Sequence, residues 1–190
     1  MSTNFDAYFY TILKSPEMAY NFARNVIDSR FPEGEAIIAT DAAKSYFYAL
    51  EVIRGRFYAG EKAISQHVIW APTYAELVVK GRWLEGEETI AKNPLASYDY
   101  ARKALKGPFP AGEPVMALSP MVAVDYAINV LKDRFYLAEP FIRNSPYSEK
   151  YSYHFVFGAD DRLDKSIVEL VQDKMTEKGS HFVKSAFVGS

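Results

Sequence analysis

The sequence predicts an all-α fold, an α-solenoid of five 26-residue repeats, from three columns of recurring residues. A Tyr-Ala or Phe-Ala dipeptide returns every 26 residues without a gap, an aromatic residue follows nine positions later, and a glutamate follows four positions after that. Self-similarity at a fixed period of this length is the signature of a repeat architecture. The three columns are Phe22, Tyr48, Tyr74, Tyr100 and Tyr126; Phe31, Phe57, Trp83, Phe109 and Phe135; and Glu35, Glu61, Glu87, Glu113 and Glu139.

The period divides the chain into a helical-repeat solenoid and a C-terminal cap. The cap, residues 143–190, begins with a degenerate sixth repeat at Ser145-Pro146 and is predicted to continue as an amphipathic capping helix near residues 162–178 and a tail. Terminal units of repeat proteins depart from the consensus in this way because they cover an exposed end. The solenoid, 1–142, consists of a half-repeat cap, 1–12, and the repeats 13–38, 39–64, 65–90, 91–116 and 117–142.

Each repeat is predicted to contain one long helix and one short helical segment. Ser15-Pro16 and its equivalents combine an N-cap with a proline at the first helical position, and about thirteen residues of helix follow. A left-handed residue, which glycine adopts without steric cost, should end this helix. The residues left in the repeat have room for one or two turns of 3₁₀ or α-helix. The predicted stop positions are Ser29, Gly55, Gly81, Gly107 and Asp133.

Composition narrows the classes of function. The formal net charge of -2 provides no overall attraction for nucleic acid or an anionic membrane. The absence of cysteine excludes disulfides and thiolate chemistry. The N-terminus has no signal-peptide pattern, and no apolar run approaches the roughly 18 residues that would cross a bilayer. We therefore expect a cytoplasmic protein that has no membrane partner.

Catalytic motifs are not apparent in the sequence. His67, His154 and His181 lie far apart and form no metal-ligand spacing. The glycines occur singly and form neither a phosphate loop nor a nucleophile elbow. The expectation is a protein that is not an enzyme and binds no cofactor or metal, although catalytic groups from distant repeats could still converge.

A column of arginines precedes the glutamate column by five residues. Arg30, Arg56, Arg82 and Arg134 could each form an ion pair with the glutamate of the same repeat. Alternatively, the glutamate could cap the N-terminus of the next helix. The fourth repeat has Pro108 in place of arginine and keeps its glutamate, which favours the capping role.

Two surfaces are candidate binding sites. Large apolar residues occupy positions on the solvent arc of several helices, which is typical of a protein-binding site. Packing against the C-terminal tail or the preceding short segment is the alternative, and self-association through the same residues is a further expectation. These partner-binding candidates are Phe47, Leu50, Trp70, Leu77 and Ile128.

The second surface is a basic stripe with aromatic neighbours, a pattern that single-stranded nucleic acid binders use. Cations at helix C-termini also complement the helix dipole, and nearby glutamates cancel much of the charge. Nucleic acid is therefore the less favoured partner. The stripe consists of Arg54, Arg56, Lys80, Arg82, Lys106, Lys132 and Arg134.

Two strings of the repeat carry a resemblance. YALEVIRGRFYAGE at 48–61 and YAELVVKGRWLEGE at 74–87 resemble tandem units, such as YAxxVIKGRWPEAE, in uncharacterised proteins of tailed bacteriophages. The resemblance covers roughly residues 13–142. It implies a phage-encoded protein of the host cytoplasm that binds and modulates a host protein, including a defence protein, or a viral protein. It supplies no active site.

Overall fold

The computed structural model describes residues 9–157, and every element of regular secondary structure within that range is helical. This confirms the predicted all-α class. The chain divides into two compact units, Met1–Val115 and Met116–Ser190, so the division falls near the end of the fourth sequence repeat. The predicted N-terminal half-repeat lies partly outside the described residues, and the capping helix near 162–178 lies wholly outside them.

The long helix of each repeat begins as an α-helix and ends as a π-helix, in which the N–H bonds to the carbonyl five residues back. The first such helix runs from Pro16 to Ile27, close to the predicted thirteen residues. The α-helical parts are Pro16–Phe22, Ala42–Phe47, Trp70–Tyr74, Pro94–Asp99 and Pro120–Tyr126. The π-helical parts are Ala23–Ile27, Tyr48–Ile53, Ala75–Val79, Tyr100–Leu105 and Ala127–Leu131.

The second segment of each repeat is a short helix, as the sequence predicts. Two of these segments are wholly α-helical, and three begin with a 3₁₀ turn. The segments are Pro32–Ile38; Tyr58–Gly60 with Glu61–Ser65; Leu84–Ile90; Pro110–Gly112 with Glu113–Ala117; and Tyr136–Ala138 with Glu139–Arg143. A last described helix, Ser148–His154, lies in the degenerate sixth repeat.

Predicted N-caps are observed at the long helices of the first, second and fourth repeats. The side chains of Ser15, Asp41 and Asn93 each accept a hydrogen bond from the N–H three residues later. In the third repeat His67 takes this place, and its Nδ1 accepts a bond from the N–H of Ile69 at 3.3 Å. Side-chain caps therefore fix where most of the long helices begin.

The left-handed residue that ends each long helix lies one position earlier than predicted. The carbonyl of Ala49 accepts the N–H of both Arg54 and Gly55, so the chain reverses at Arg54, and the same pattern recurs in other repeats. The φ angles of Gly55, Gly81 and Gly107 lie outside the left-handed range. The left-handed residues are Asp28 (φ 45°), Arg54 (57°), Lys80 (61°), Lys106 (54°) and Lys132 (55°).

The new position of the left-handed residue predicts that substitutions at two neighbouring sites change stability by different amounts. A left-handed conformation costs a residue that carries a Cβ roughly 1–2 kcal/mol. Lys80→Gly removes this cost and also removes a favourable charge at the helix C-terminus. The net effect should be a rise in the free energy of unfolding of about 0.5–1 kcal/mol. Gly81→Ala should change it by less than about 0.5 kcal/mol, because no heavy atom lies within 4 Å of the added Cβ.

Urea unfolding of the two variants measures these differences. A marked loss of stability in Gly81→Ala, together with no gain in Lys80→Gly, would show that Gly81 is the left-handed residue and would contradict the structure.

Within each repeat, the short helix approaches the long helix closely. A Cβ on Gly60 would lie 2.5 Å from the Cβ of Ser45, and Gly112 is as close to Ser97. The hydroxyls of Ser45 and Ser97 are buried and donate to the carbonyls of Ile38 and Ile90, at 3.0 and 2.9 Å. Ser45 and Ser97 therefore contact the short helix of their own repeat and also bond to the short helix of the preceding repeat.

A buried bridge of three side chains joins successive repeats. The hydroxyl of Tyr74 accepts the backbone N–H of Phe57 at 3.0 Å and donates to Glu61 Oε1 at 2.8 Å. Arg56 holds the same carboxylate through two hydrogen bonds of 2.7 Å. The Tyr74 ring packs on Trp83 of its own repeat, with the ring centroids 4.9 Å apart. One tyrosine thus spans two repeats.

We call this set the inter-repeat bridge, and its bonds recur at other repeat junctions. It forms the predicted arginine–glutamate ion pair. In the repeats that have the arginine, the favoured alternative, glutamate as a cap of the next helix, is wrong because the carboxylate is held by arginine and tyrosine. Its other described members are Arg30, Glu35 and Tyr48; Arg82, Glu87 and Tyr100; and Arg134, Glu139 and Tyr151.

The last of these bridges lies where the sequence repeat degrades. Tyr151 accepts the N–H of Phe135 at 2.9 Å and donates to Glu139 at 2.9 Å, although it follows Phe135 by 16 residues rather than 17. A one-residue deletion in the sixth repeat explains why the 26-residue register misses it. At the start of the chain Phe22, which has no hydroxyl, packs against Phe31 and Phe9 instead.

The bridge makes the tyrosines hard to ionise. Burial, together with the hydrogen bond to a glutamate, raises the pKa of Tyr48 and of Tyr100 to about 12. On the other side of the bond, the Arg30 guanidinium and the Tyr48 hydroxyl hold the pKa of Glu35 below its usual value, against the opposing effect of burial.

These pKa shifts predict unfolding in alkali. An unfolded tyrosine loses its proton near pH 10, whereas the folded protein retains it to about 12. The stabilisation is complete below about pH 10 and is lost as the pH rises towards 12. The urea midpoint should therefore fall between pH 9 and 11.5, and the fall should be shallower in Tyr48→Phe/Tyr100→Phe. The exposed Tyr58→Phe is the control and should keep the wild-type profile. An identical profile in the double variant would contradict the assignment.

Candidate protein-binding groove

The long helices of successive repeats in the first unit contact one another, and each contact forms a groove. We number the grooves by the repeats that form them: the first lies between repeats one and two, the second between two and three, and the third between three and four. In each groove a residue of one long helix faces the residue 24 positions later. These facing pairs are Tyr20 and Lys44, Tyr46 and Trp70, and Pro72 and Ala96.

Side chains fill the first groove. The Lys44 ammonium lies over the Tyr20 ring, 5.7 Å from its centroid, and also pairs with Glu17. The Tyr20 hydroxyl donates to Glu51, which also accepts from Arg24 Nε at 2.7 Å. Burial, followed by the bond to Glu51, raises the pKa of Tyr20 to about 12. Aromatic packing and two ion pairs therefore close this groove.

An aromatic cluster fills the second groove. Tyr46 and Trp70 are stacked, with their centroids 4.9 Å apart and an interplanar angle of 22°. Phe47 lies 5.3 Å from Trp70 and 6.3 Å from Tyr20, so it links the first two grooves. His67 lies 6.1 Å from Trp70 at the edge of the cluster.

The third groove is open. A cleft of about 260 Å³ lies between the third and fourth long helices. Three aliphatic side chains on its walls are exposed: Ile69 (61%), Leu95 (55%) and Val68 (37%). Pro72 and Ala96, the small facing pair, also line it. The groove thus combines a recess, lined by the buried Pro72 and Ala96, with three exposed aliphatic side chains.

Charged groups line the inner part of the third groove. Lys103 Nζ pairs with Asp99 at 3.2 Å, and Arg102 lies 3.9 Å from the same carboxylate. Glu76 is half-buried on the opposite wall and makes no ion pair with any residue between 9 and 157. An acidic side chain without an ion pair among the described residues is therefore present in a recess that also contains the Lys103–Asp99 pair.

The predicted partner-binding residues occupy several environments. Phe47 and Trp70 are half-buried in the aromatic cluster, and Leu50 is also half-buried. Leu77 is exposed on the third long helix. Ile128 is half-buried in the second compact unit. Whether they bind a partner stays a prediction, and Leu77 is the most accessible of them.

The predicted partner-binding residues do not include Ile69, Leu95 or Val68, and the cleft itself was not predicted. The signal was present in two places. The first-turn column changes from Glu17 and Ala43 to Ile69 and Leu95, and the facing pair becomes small only in the third groove. The columns alone did not show which positions face one another across a groove, so this change in size could not be interpreted.

The basic stripe separates into two kinds of cation. Arg56, Arg82 and Arg134 are each bound to the glutamate of their own repeat. The other members are exposed and occupy the left-handed position at the end of a long helix: Arg54, Lys80, Lys106 and Lys132. Four cations of the stripe are therefore left without an ion pair among the described residues, and the interleaving of cations and aromatics expected of a nucleic-acid groove is weakened.

Neither a metal-ligand cluster nor a membrane-spanning helix occurs among the described residues. No group of three or more His, Asp or Glu side chains there could hold a metal ion, and no described helix is both long and apolar enough to span a membrane. His181 and the predicted capping segment lie outside the described range.

No family model matches the sequence, and no curated protein or solved structure matches it significantly. The geometry of the groove is therefore the basis for the proposals about function.

Trp70 and Leu77 are both predicted from the sequence to lie on the solvent arc, but their substitution should change the free energy of unfolding by different amounts. Trp70→Ala removes a stacked ring from the second groove and should cost about 2–4 kcal/mol of unfolding free energy. Leu77→Ala, on the accessible side of the same helix, should cost less than about 1 kcal/mol. Denaturant unfolding compares the two, and equal costs would contradict the assignment of Trp70 to the packed cluster.

Proposed function

We propose that this chain is a solenoid of five helical repeats that works as a non-catalytic protein-binding scaffold, with the third groove as its contact surface. The observation that carries the proposal is the open groove itself: Ile69, Leu95 and Val68 are exposed together around a recess. Apolar side chains that rim a concavity are typical of sites that bind a protein segment.

The repeat pattern supports the scaffold part of the proposal. The same bridge joins successive repeats at several junctions, so each repeat depends on its neighbours for the burial of its polar groups. Such an array exposes long surfaces on which a single groove can vary independently of the rest. The resemblance to tandem repeats of tailed bacteriophages favours a host protein, such as a defence factor, or a viral protein as the partner.

Substitutions in the groove test this function. Ile69→Asp/Leu95→Asp places two charges on the rim and should reduce capture of a specific protein from host lysate at least tenfold. Raising the salt concentration should not cause the same loss of capture by the wild-type protein. Leu84→Asp, at an exposed leucine in the short helix of the third repeat, is the matched control and should capture as well as wild type. Quantitative mass spectrometry of the captured protein gives the readout. Equal capture by all three proteins would contradict the groove as the contact surface.

A second function, binding of single-stranded nucleic acid, is favoured by one specific observation. Four cations occupy left-handed positions that disfavour a side chain, and such strain is often retained where a residue has a function. Fluorescence anisotropy with a labelled single-stranded oligonucleotide distinguishes the two functions. Oligonucleotide binding that falls steeply with salt and is lost in Lys80→Glu/Lys106→Glu would indicate that the partner is nucleic acid rather than protein.

A further inference from the structure

The third groove is open because one pair of facing side chains has changed. In the first two grooves this pair is Tyr20 with Lys44 and Tyr46 with Trp70, and in each case a tyrosine ring is covered by the side chain opposite. In the third groove both members are small, Pro72 and Ala96, and the cleft of about 260 Å³ lies beside them. The recess is thus lined by the two positions that carry a stacked aromatic pair in the second groove, although Pro72 and Ala96 are themselves buried.

The size of the recess indicates the kind of occupant. Sites for small molecules and cofactors usually enclose about 300–1,000 Å³, so this cleft is small for such a ligand. A single large side chain from a partner is a better match, because aromatic anchors in desolvated pockets dominate the energy of protein interfaces. The neighbouring groove shows directly that an indole and a phenol ring can lie between two long helices of this chain.

The charges in the groove indicate what should flank the anchor. In the first groove Arg24 pairs with Glu51 across the two helices, at 2.7 Å. The equivalent positions in the third groove are Glu76 and Lys103, with the signs reversed, and Lys103 is paired with Asp99 instead. Glu76 is left without an ion pair among the described residues. A cation on the partner would complete the arrangement that the first groove makes internally.

We propose that the third groove is a socket for one aromatic side chain of a protein partner, next to a basic residue of the same segment that pairs with Glu76. This inference rests on the proposed protein-binding function and names the chemistry of the partner. The aliphatic rim formed by Ile69, Leu95 and Val68 covers the edges of the inserted ring.

Three short peptides and the full-length protein test the socket. The probes are acetylated, amidated Trp-Arg, Trp-Glu and Ala-Arg dipeptides, followed by the methyl NMR signals of Ile69, Leu95 and Ala96. Trp-Arg should bind with a dissociation constant of roughly 1 mM, typical of a fragment of this size. Trp-Glu should bind about threefold more weakly, and Ala-Arg should produce no shifts at these methyl groups.

Refilling the groove from within provides the decisive variant. Ala96→Trp introduces a tryptophan at the position that Trp70 occupies one repeat earlier. The variant should keep the fold and should no longer bind Trp-Arg. Pro72→Tyr fills the recess from the other helix and serves the same purpose should the first variant fold poorly. Leu84→Trp adds the same indole to an exposed site and is the control, which should bind as wild type does. Glu76→Gln should retain binding of both tryptophan peptides and lose the preference for Trp-Arg.

Two failures are distinguishable. If wild type shifts none of the three methyl signals with Trp-Arg, or if Ala96→Trp binds it as tightly as wild type, the socket is wrong. The protein-binding function is then judged separately by capture of the host protein. Capture that Ile69→Asp/Leu95→Asp abolishes and Ala96→Trp leaves unchanged would keep the function and discard the aromatic anchor, whereas capture insensitive to both variants would discard the groove altogether.

Discussion

Most of the described structure depends on a buried tyrosine hydroxyl that belongs to one repeat and bonds to the one before it. The hydroxyl of Tyr74 satisfies the backbone N–H of Phe57 and the carboxylate of Glu61 at once, while its ring packs on Trp83. A buried donor or acceptor that loses its partner costs roughly 1–3 kcal/mol, so these bonds fix the distance and rotation between neighbours. The column varies only at the start of the chain, where Phe22 has aromatic neighbours instead.

The sequence predicted this architecture well wherever local chemistry controls it. The register, the N-caps at Ser15, Asp41 and Asn93, and the short second helices all follow from residue type and spacing. The left-handed residue differs from the predicted one because the prediction depends on the tolerance of glycine for that conformation, whereas the bonding of the last helical turn decides the position. The π-helical last turn lets the carbonyl of Ala49 accept two donors and moves the reversal to Arg54, a residue with no intrinsic preference for that conformation.

The candidate site was less predictable because it depends on which residues face one another. Trp70 and Phe47 appear on a helical wheel as exposed apolar residues, but they lie in the same groove and cover each other and Tyr46. Conversely, nothing about Pro72 or Ala96 taken singly suggests a recess. The signal is the pair, 24 residues apart, and it becomes readable only once the structure shows that these positions meet.

The separation between bridge and groove explains how the third groove can be open while the first two grooves are filled. The bridge residues hold the short helix of one repeat to the long helix of the next, so the spacing of the long helices does not rely on what lies between them at the groove. The third and fourth repeats keep Arg82, Glu87 and Tyr100 even though the pair at Pro72 and Ala96 is small. A groove that was essential to stability could not be emptied without loss of the fold. A groove that is not essential can stay open while the fold is kept, which is the condition that the proposed aromatic socket requires.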